Sequence, residues 1–287
     1  MKLKPWLGFA LITTIFWGVW GALIEIPEKA GFPATLGYVV WALTMIIPAI
    51  VALKIISWKL ETNKKAILHG MLVGISGAAG QLILFQALRT GPAYLVFPFV
   101  SLAPLVTILL SLWFLKEKAS LRSWAGIIIA LIAIPLLSYQ PPENSQKFGF
   151  LWIFLSLAVF LLWGVQAYFI KLANNHMKAE SIFFYMMISG LALIPAAMFM
   201  TDFRQQINWG FKGPYLAAGI QILNSIGALF IVYAFRYGKA IIVSPLTNAG
   251  APVITIIISL LIYGVFPHTV ILIGMLLALA AIFPLAD

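Results

Sequence analysis

Two matching stretches of sequence, Phe16-Trp17-Gly18-Val19 and Leu162-Trp163-Gly164-Val165, mark equivalent points in two halves of the chain. Beyond them, Tyr38 corresponds to Tyr185 at a shift of about 147 positions. Further pairs follow in the same order: Pro48 with Pro195, Gly80 with Gly227, residues 87–91 with 234–238, Ala93 with Ala240, and Pro98 with Pro245. Self-similarity that keeps its order along a whole half predicts a duplicated chain.

The composition places both halves in a membrane. Of the 287 residues, 63% are hydrophobic and 9% are charged, whereas about 25% of the residues of a soluble domain are charged. A chain of this length cannot bury so much apolar surface away from water. The absence of cysteine excludes disulfides, thiolate metal sites and a cysteine nucleophile.

Ten apolar segments are long enough to cross a bilayer, which needs about 20 residues per helix. They are Trp6–Ile26, Ala34–Leu53, Ala66–Leu88, Ala93–Leu115, Leu121–Tyr139, Phe148–Ile170, Ser181–Met200, Pro214–Phe235, Ala240–Tyr263 and Thr269–Leu285. The connections are short and charged, as in Ser57–Lys65 and Pro141–Lys147. The sequence therefore predicts an all-α membrane protein with ten transmembrane helices.

The distribution of Lys and Arg predicts the orientation, because cytoplasmic loops carry an excess of both. With the N-terminus inside, 13 of the 18 lie in the N-terminal tail or inner loops, and 5 lie outside. The outer five are Lys29, Arg89, Lys147, Arg204 and Lys212. We expect a multi-pass protein of the bacterial plasma (inner) membrane with both termini in the cytoplasm. Lys2 and Lys4 before an apolar run also resemble a signal peptide, but the length of the run and its place in the repeat favour a first span.

An odd number of spans in each half makes the second copy enter the membrane from the opposite side. We expect two inverted five-helix repeats, residues 1–140 and 148–287, around a central cavity. Secondary transporters use this plan, because exchanging the conformations of two similar halves converts an outward-open cavity into an inward-open one. An inverted repeat kept for packing alone, as in some channels, is the alternative.

Polar and aromatic residues in the middle of spans are candidates for the wall of such a cavity. A tryptophan N–H needs a partner, so tryptophan in mid-bilayer suits a cavity better than lipid. Such residues are Trp17, Trp20, Trp163 and Gln166.

The eighth segment carries Gln221, Asn224 and Ser225, whose spacing places them on one helix face. Their positions and that of Gln81 in the third segment suit either hydrogen bonding between helices or contact with a solute, and the sequence leaves both open. The equivalents of Gln221 and Asn224 are Gly74 and Gly77, which predict close helix packing.

Glu25 and Lys171 occupy equivalent positions, each eight residues after a repeated tryptophan. Ionisable residues within membrane segments are functional candidates, although a residue at a span end can instead reach toward the headgroups. The topology places Glu25 toward the outside and Lys171 toward the cytoplasm. Glu25 could meet a cationic group or carry a coupling proton, so Glu25→Gln is expected to lower transport or change its pH dependence.

Prolines recur at corresponding places and predict hinges in the fourth and ninth spans, because proline removes a backbone hydrogen bond. The hinge candidates are Pro98, Pro104, Pro245 and Pro252. Pro98 and Pro104 are six residues apart, whereas Pro245 and Pro252 are seven apart, so the two halves differ here. Thr247 and Asn248 fall within the second interval and could contact the solute.

Catalytic and cofactor chemistry finds little support. His69, His176 and His268 are spread over loops and span ends without a second ligand at metal spacing. There is no glycine-rich nucleotide loop after a strand. We expect no catalytic residues, no metal, no cofactor and no nucleic-acid partner. The expected partners are a small organic solute and membrane lipid, and a proton as well if transport is proton-coupled.

Taken together, this sequence resembles the EamA-type drug/metabolite transporter superfamily. The resemblance rests on Trp-Gly in the first span of each half and on Ala93, Pro104, Leu115-Lys116-Glu117, Ser120-Leu121 and Gly126, the usual end of an EamA repeat. It implies ten helices around a cavity lined by helices one, three, four, six, eight and nine, and export or exchange of metabolites, amino acids or lipophilic compounds without ATP. Family members often carry Lys where this chain has Glu25, which favours a cationic or zwitterionic solute.

Three functions remain open after this comparison. An alternating-access carrier, either a facilitator or proton-coupled, saturates and shows counterflow. A passive channel conducts without saturation. The third possible function is that of a non-transporting scaffold or an intramembrane enzyme. An enzyme would need clustered His or acidic residues at the midplane. The oligomeric state stays open.

Overall fold

A computed structural model describes residues 4–91, 93–140, 149–264 and 266–286. Over these ranges the secondary structure is helical and contains no strand. Lys2, Lys147 and the predicted connection 141–147 lie outside the described residues. The prediction of an all-α membrane protein is confirmed.

The described residues contain nine apolar helices of at least 18 residues and one shorter apolar helix, the fifth. In chain order the ten spans are Pro5–Lys29, Ala34–Ile55, Lys64–Thr90, Leu95–Trp113, Leu121–Leu137, Leu151–Asn174, Ala179–Phe199, Phe211–Tyr237, Ala240–Ile262 and Thr269–Ala286. They match the ten predicted segments. The ammonium group of Lys4 lies 3.5 Å from the carbonyl of Ala286, so the chain begins and ends at one face of the bundle. We call this the N-terminal face and the opposite one the distal face.

The fifth helix has 17 residues and is about 26 Å long at 1.5 Å per residue, close to the thickness of the hydrocarbon core. It packs along the tenth helix. A Cβ at Gly126 would lie 2.9 Å from Leu285, and a Cβ at Gly274 would lie 2.9 Å from Leu136. Both glycines are therefore required for this close approach.

Equivalent helices of the two halves run antiparallel. In the fifth–tenth pair, Gly126 lies beside Leu285 and Gly274 beside Leu136, so one chain rises as the other descends. The second and seventh helices pair in the same way. The hydroxyls of Thr35 and Thr201 are 2.7 Å apart, and the Tyr38 hydroxyl donates to the carbonyl of Gly190 at 3.0 Å. Copies that lie antiparallel are inverted relative to each other.

The first helix packs against the eighth, and the sixth helix packs against the third. At one end of each pair a tryptophan covers a glycine: Trp6 covers Gly238, and Trp152 covers Gly91. A Cβ at Gly91 would overlap Trp152, and a Cβ at Gly238 would overlap Val243 and lie 3.0 Å from the Cβ of Trp6. The first and sixth helices are equivalent in the repeat, as are the third and eighth. The two helix pairs are therefore related by a pseudo-two-fold axis.

The fourth and ninth helices differ in spite of their equivalent prolines. The fourth consists of Ala93–Ser101 and Ala103–Trp113, with a break at Leu102. The ninth runs without a break through Ala240–Tyr263 and contains both of its prolines. The extra residue between Pro245 and Pro252 changes their angular relation by about 100°, and the backbone is interrupted only where the spacing is six.

Side chains cap several helix ends, where backbone groups lack partners within the helix. The Asn63 side chain accepts from the backbone N–H of Ala66 at 2.9 Å. The Ser120 hydroxyl accepts from the N–H of Ser123 at 3.0 Å. The ninth helix ends at Gly264, whose φ of 66° is the left-handed conformation that glycine adopts without cost.

Candidate functional site

The repeated tryptophans make equivalent hydrogen bonds at the centre of the bundle. Trp17 Nε1 donates to the carbonyl of Asn224 at 3.3 Å, and Trp163 Nε1 donates to the carbonyl of Gly77 at 3.4 Å. Asn224 and Gly77 are repeat equivalents. The indole rings lie against Gly227 and Gly80, again an equivalent pair. The Trp-Gly motif therefore joins each half to the other, with the indole N–H satisfied by backbone.

Threonines complete these contacts on the other side of each Trp-Gly motif. Thr255 donates to the carbonyl of Gly18 at 2.9 Å, and Thr107 donates to the carbonyl of Gly164 at 3.0 Å. Sequence reasoning did not single out these threonines. Each threonine follows a paired proline by three residues, Thr107 after Pro104 and Thr255 after Pro252. That equal spacing could have identified them as an equivalent pair.

One turn further along, the two interfaces differ. Trp20 Nε1 donates to Gln221 Oε1 at 2.9 Å, and Gln221 Nε2 donates to the carbonyl of Gly37 at 3.2 Å. The residue equivalent to Trp20 is Gln166, and its amide lies against Gly77. The indole of Trp20 and the buried amide of Gln221 in one interface thus correspond to the amide of Gln166 and to Gly74 in the other.

Three predicted polar residues are buried between helices. The Ser225 hydroxyl is 3.0 Å from that of Thr44, and Gln221 makes the two bonds described above. Thr247 bonds to the carbonyl of Val243, one turn back in its own helix, at 2.9 Å. For Ser225 and Gln221 the contacts are those of interhelical hydrogen bonding.

Four other amides are accessible. Gln81, Gln166 and Asn224 are half-buried, and their side chains make no hydrogen bond to any described residue. Asn248 is exposed although the residues on either side of it are buried, and its Nδ2 donates to the carbonyl of Ser244 at 2.9 Å. An amide directed into hydrocarbon would leave its polar atoms unsatisfied at high cost. These groups can exchange hydrogen bonds with water or with a bound solute.

Glu25 and Lys171 lie at opposite faces, and Lys171 follows Gln166 on the sixth helix by five residues, a rise of about 7.5 Å. Glu25 begins a short terminal helix, Glu25–Lys29, at the distal face, and its Oε2 is 2.5 Å from Lys29 Nζ with both side chains more than half exposed. Lys171 Nζ donates to the carbonyls of Phe235 at 3.0 Å and Gly238 at 2.6 Å. Lys171 therefore caps the C-terminal end of the eighth helix, where a cation is favourable.

Sequence reasoning missed a carboxylate that the structure buries. Glu180, at the start of the seventh span, is 9% exposed and is the only charged side chain that is buried in the described part of the chain. The Tyr233 hydroxyl donates to Glu180 Oε1 at 2.6 Å. Its place at a helix N-terminus also favours a negative charge. The sequence position, beside Lys178 in a short loop, gave no sign of burial.

Two of the histidines are closer than the sequence indicated. The rings of His69 and His176 stack with their centroids 5.7 Å apart at the N-terminal face. Desolvation lowers the pKa of His176, and the positive charges of Lys65 and His69 lower it further. Among the described residues no group of three or more His, Cys, Asp or Glu is arranged to hold a metal ion.

Comparison with known proteins gives partial matches to curated relatives. An uncharacterized protein of Methanocaldococcus jannaschii is 36% identical over 27% of this chain and 56% of its own length. The protein LicB of Haemophilus influenzae is 24% identical over 64% of this chain and 69% of its own length. A probable 4-amino-4-deoxy-L-arabinose-phosphoundecaprenol flippase subunit, ArnE, of Hamiltonella defensa is 32% identical over 28% of this chain and 73% of its own length. The chain thus spans just over half of the first of these relatives.

The fold is found among solved structures. One crystal structure superposes with a TM-score of 0.76 over 96% of this chain and 94% of that chain, at 17% identity, which supports the architecture alone. The model of the EamA-like transporter family matches twice, at residues 4–139 and 150–286. Two matches that together span nearly the whole chain, on a bundle of ten helices with reciprocal packing, show that this protein is a member of the EamA-like transporter family.

Proposed function

We propose that this protein is a secondary transporter that moves a small organic metabolite or amphipathic compound across the bacterial plasma membrane by alternating access, as an exporter or exchanger. Both termini lie in the cytoplasm in this arrangement, so that the N-terminal face is the cytoplasmic one. Residues 1–140 and 148–287 form the two repeats, and the protein has no catalytic residue. Membership of a transporter family supports the general activity.

The observation that carries the proposal is the reciprocal packing of the Trp-Gly helices. Trp17 bonds to the eighth helix, and Trp163 bonds in the same way to the third. Each half contributes one helix to each interface. The two interfaces can therefore swap conformations, so that one opens as the other closes. Alternating access by inverted repeats needs this exchange.

The proposed solute site lies between these interfaces. Trp17, Trp20 and Trp163 provide ring surfaces, since their N–H groups already bond within the protein. Gln166 and Asn224 provide hydrogen-bonding groups at the same depth, because Gln166 lies against Gly77 and the backbone carbonyl of Asn224 accepts from Trp17. Gln81 and Asn248 are the other accessible amides assigned to the site. Gln221, Ser225 and Thr247 support the site through packing, and the four prolines remain the proposed hinges.

A set of polar contacts at the N-terminal face supports a conformation closed on that side. Lys171 holds the end of the eighth helix. The carboxylate of Glu117 accepts from the backbone N–H groups of Ala240 and Ile241, both at 3.1 Å. Lys239 Nζ donates to the carbonyl of Lys118 at 2.5 Å. The turn between the eighth and ninth helices is thus bound by the loop that follows the fourth helix and by Lys171 of the sixth helix.

The test is counterflow in proteoliposomes that contain the purified full-length chain. Vesicles are loaded with a total small-molecule extract of bacterial cells, and release is measured by mass spectrometry against protein-free vesicles. A carrier releases particular solutes saturably, and the same solutes added outside accelerate the release. Linear, unsaturated release would indicate a channel, and release equal to that of protein-free vesicles would refute transport.

A further inference from the structure

Formal charges are confined to the ends of the bundle. Each described Lys, Arg, Asp and Glu lies in a loop or in the first or last turn of a helix. Lys171 is in the last turn of its helix, and Glu180 is in the first turn of Ala179–Ala192. The middle of the described bundle therefore contains no ionisable acid or base that could neutralise a charged solute.

The middle of the bundle is instead rich in neutral hydrogen-bonding groups. Each primary amide offers two donor hydrogens and a carbonyl acceptor. Gln81, Gln166 and Asn224 use none of these within the described chain, and Asn248 uses its Nδ2 alone. The three indole N–H groups are already taken by protein acceptors, so the tryptophans offer flat ring faces.

This combination discriminates by charge. An ion taken from water into a site without a counter-charge loses its hydration, and the cost exceeds by several-fold what one contact with a ring face returns. A neutral group loses much less, and the amides replace its hydrogen bonds with water. The nearest acidic group that sequence analysis proposed, Glu25, lies at the distal face and is paired with Lys29, so it supplies no net attraction for a cation.

We propose that the solute is uncharged overall, with a flat apolar face and an edge that both donates and accepts hydrogen bonds, as in carboxamides, lactams and nucleobases. This inference rests on the proposed transport function and replaces the cationic or zwitterionic solute expected from Glu25. Gln166 and Asn248 are the specificity-determining residues, because they are accessible amides on two different helices of the site.

The first experiment uses vesicles loaded with a total small-molecule extract, supplemented with equal concentrations of nicotinamide, nicotinate and 1-methylnicotinamide. These three share a ring but are neutral, anionic and cationic. The solutes released in a protein-dependent manner are expected to be uncharged, with a preference of at least tenfold over ions of similar mass. Preferential release of anions, cations or zwitterions would overturn the inference while leaving transport intact. Release of nothing would instead overturn the transport function.

The second experiment introduces a carboxylate without changing side-chain shape. Gln166→Glu is expected to lower release of the neutral solutes at least fivefold and to raise release of 1-methylnicotinamide relative to nicotinamide. Asn248→Asp is a second variant with the same expectation. Gln205→Glu, the same change in an exposed distal loop, is the control and is expected to match the parent. Folded variants with unchanged selectivity at both positions would overturn the assignment.

Discussion

The turns that follow the third and eighth helices have similar extended backbones and different partners. Gly91 has φ and ψ of −140° and 165°, and Gly238 has −109° and 165°. Each lies under a tryptophan from the other half. At Gly238 the cation of Lys171 binds the carbonyl and Glu117 binds the helix that follows. The equivalents of Lys171 and Glu117 in the sequence are Glu25 and Val265, at the shifts that pair Trp17 with Trp163 and Pro104 with Pro252.

This difference shows how a duplicated backbone becomes asymmetric. The carboxylate of Glu25 cannot donate to a carbonyl, and Val265 has an apolar side chain that cannot accept from a helix N-terminus. The distal face is linked instead through Asn208, whose Nδ2 donates to the carbonyl of Ala30 at 2.9 Å. The repeated glycines and tryptophans give both turns a similar backbone. Lys171 and Glu117 then bind only the turn at Gly238. The following variants test that comparison, beginning with the largest expected effect.

Lys171→Met is expected to lower the free energy of unfolding by about 2 kcal/mol, because hydrogen bonds from a charged group contribute about 1.5–3 kcal/mol. The carbonyls of Phe235 and Gly238 lose a partner, and the N-terminal face should open more often. Thermal unfolding in detergent measures the first effect. Because the chain has no cysteine, an added Asn224→Cys reports the second through its rate of labelling from the N-terminal face.

The control for this change is Lys178→Met, an exposed lysine near the same face. It is expected to leave both the unfolding midpoint and the labelling rate within error of the parent. Equal labelling in the Lys171→Met and Lys178→Met backgrounds would contradict the role of Lys171 in holding the turn.

Glu117→Gln is expected to cost about 1 kcal/mol, since a neutral amide oxygen replaces a carboxylate that accepts two backbone N–H groups. The lost charge at the start of the ninth helix also removes a favourable dipole interaction of less than about 1 kcal/mol. The unfolding midpoint should fall less than for Lys171→Met. Glu117→Asp, which keeps the charge on a shorter side chain, should recover part of the loss, and no recovery would argue against this electrostatic role.

Trp17→Phe and Trp163→Phe are expected to have equal effects, about 1 kcal/mol each for the loss of one indole hydrogen bond. Both rings lie over a glycine, so most of the apolar contact is kept. Thermal unfolding of the two variants side by side is the measurement. A difference of more than about twofold would show that the two interfaces are not energetically equivalent.

Glu25→Gln has the smallest expected effect. Its ion pair with Lys29 is more than half exposed, and exposed ion pairs contribute between about 0 and 1 kcal/mol. From its position in the repeat we expected Glu25→Gln to lower transport or change its pH dependence. Its exposed ion pair favours a smaller effect. Solute release by this variant is expected to stay within about twofold of the parent at neutral pH. A loss as large as that of Gln166→Glu would restore Glu25 as a solute contact.

The candidate site could be predicted only in part. The sequence indicated that Trp17, Trp20 and Trp163 need partners for their N–H groups, and the structure supplies those partners. It could not separate the buried amide of Gln221 from the accessible amide of Asn224, because one turn of helix brings both to similar positions. The rotation of each helix against its neighbours decides which of them is enclosed.

Length, hydropathy and the repeat determined by themselves the ten helices and the opposite orientation of the two halves, because these depend on bilayer thickness and on an odd number of crossings. Tertiary structure alone decided that Lys171 caps the eighth helix, that Glu180 is buried against Tyr233, and that the fourth helix is broken where the ninth is continuous. Apolar segments are set by local composition. Hydrogen-bond partners more than fifty residues apart depend on how the helices pack.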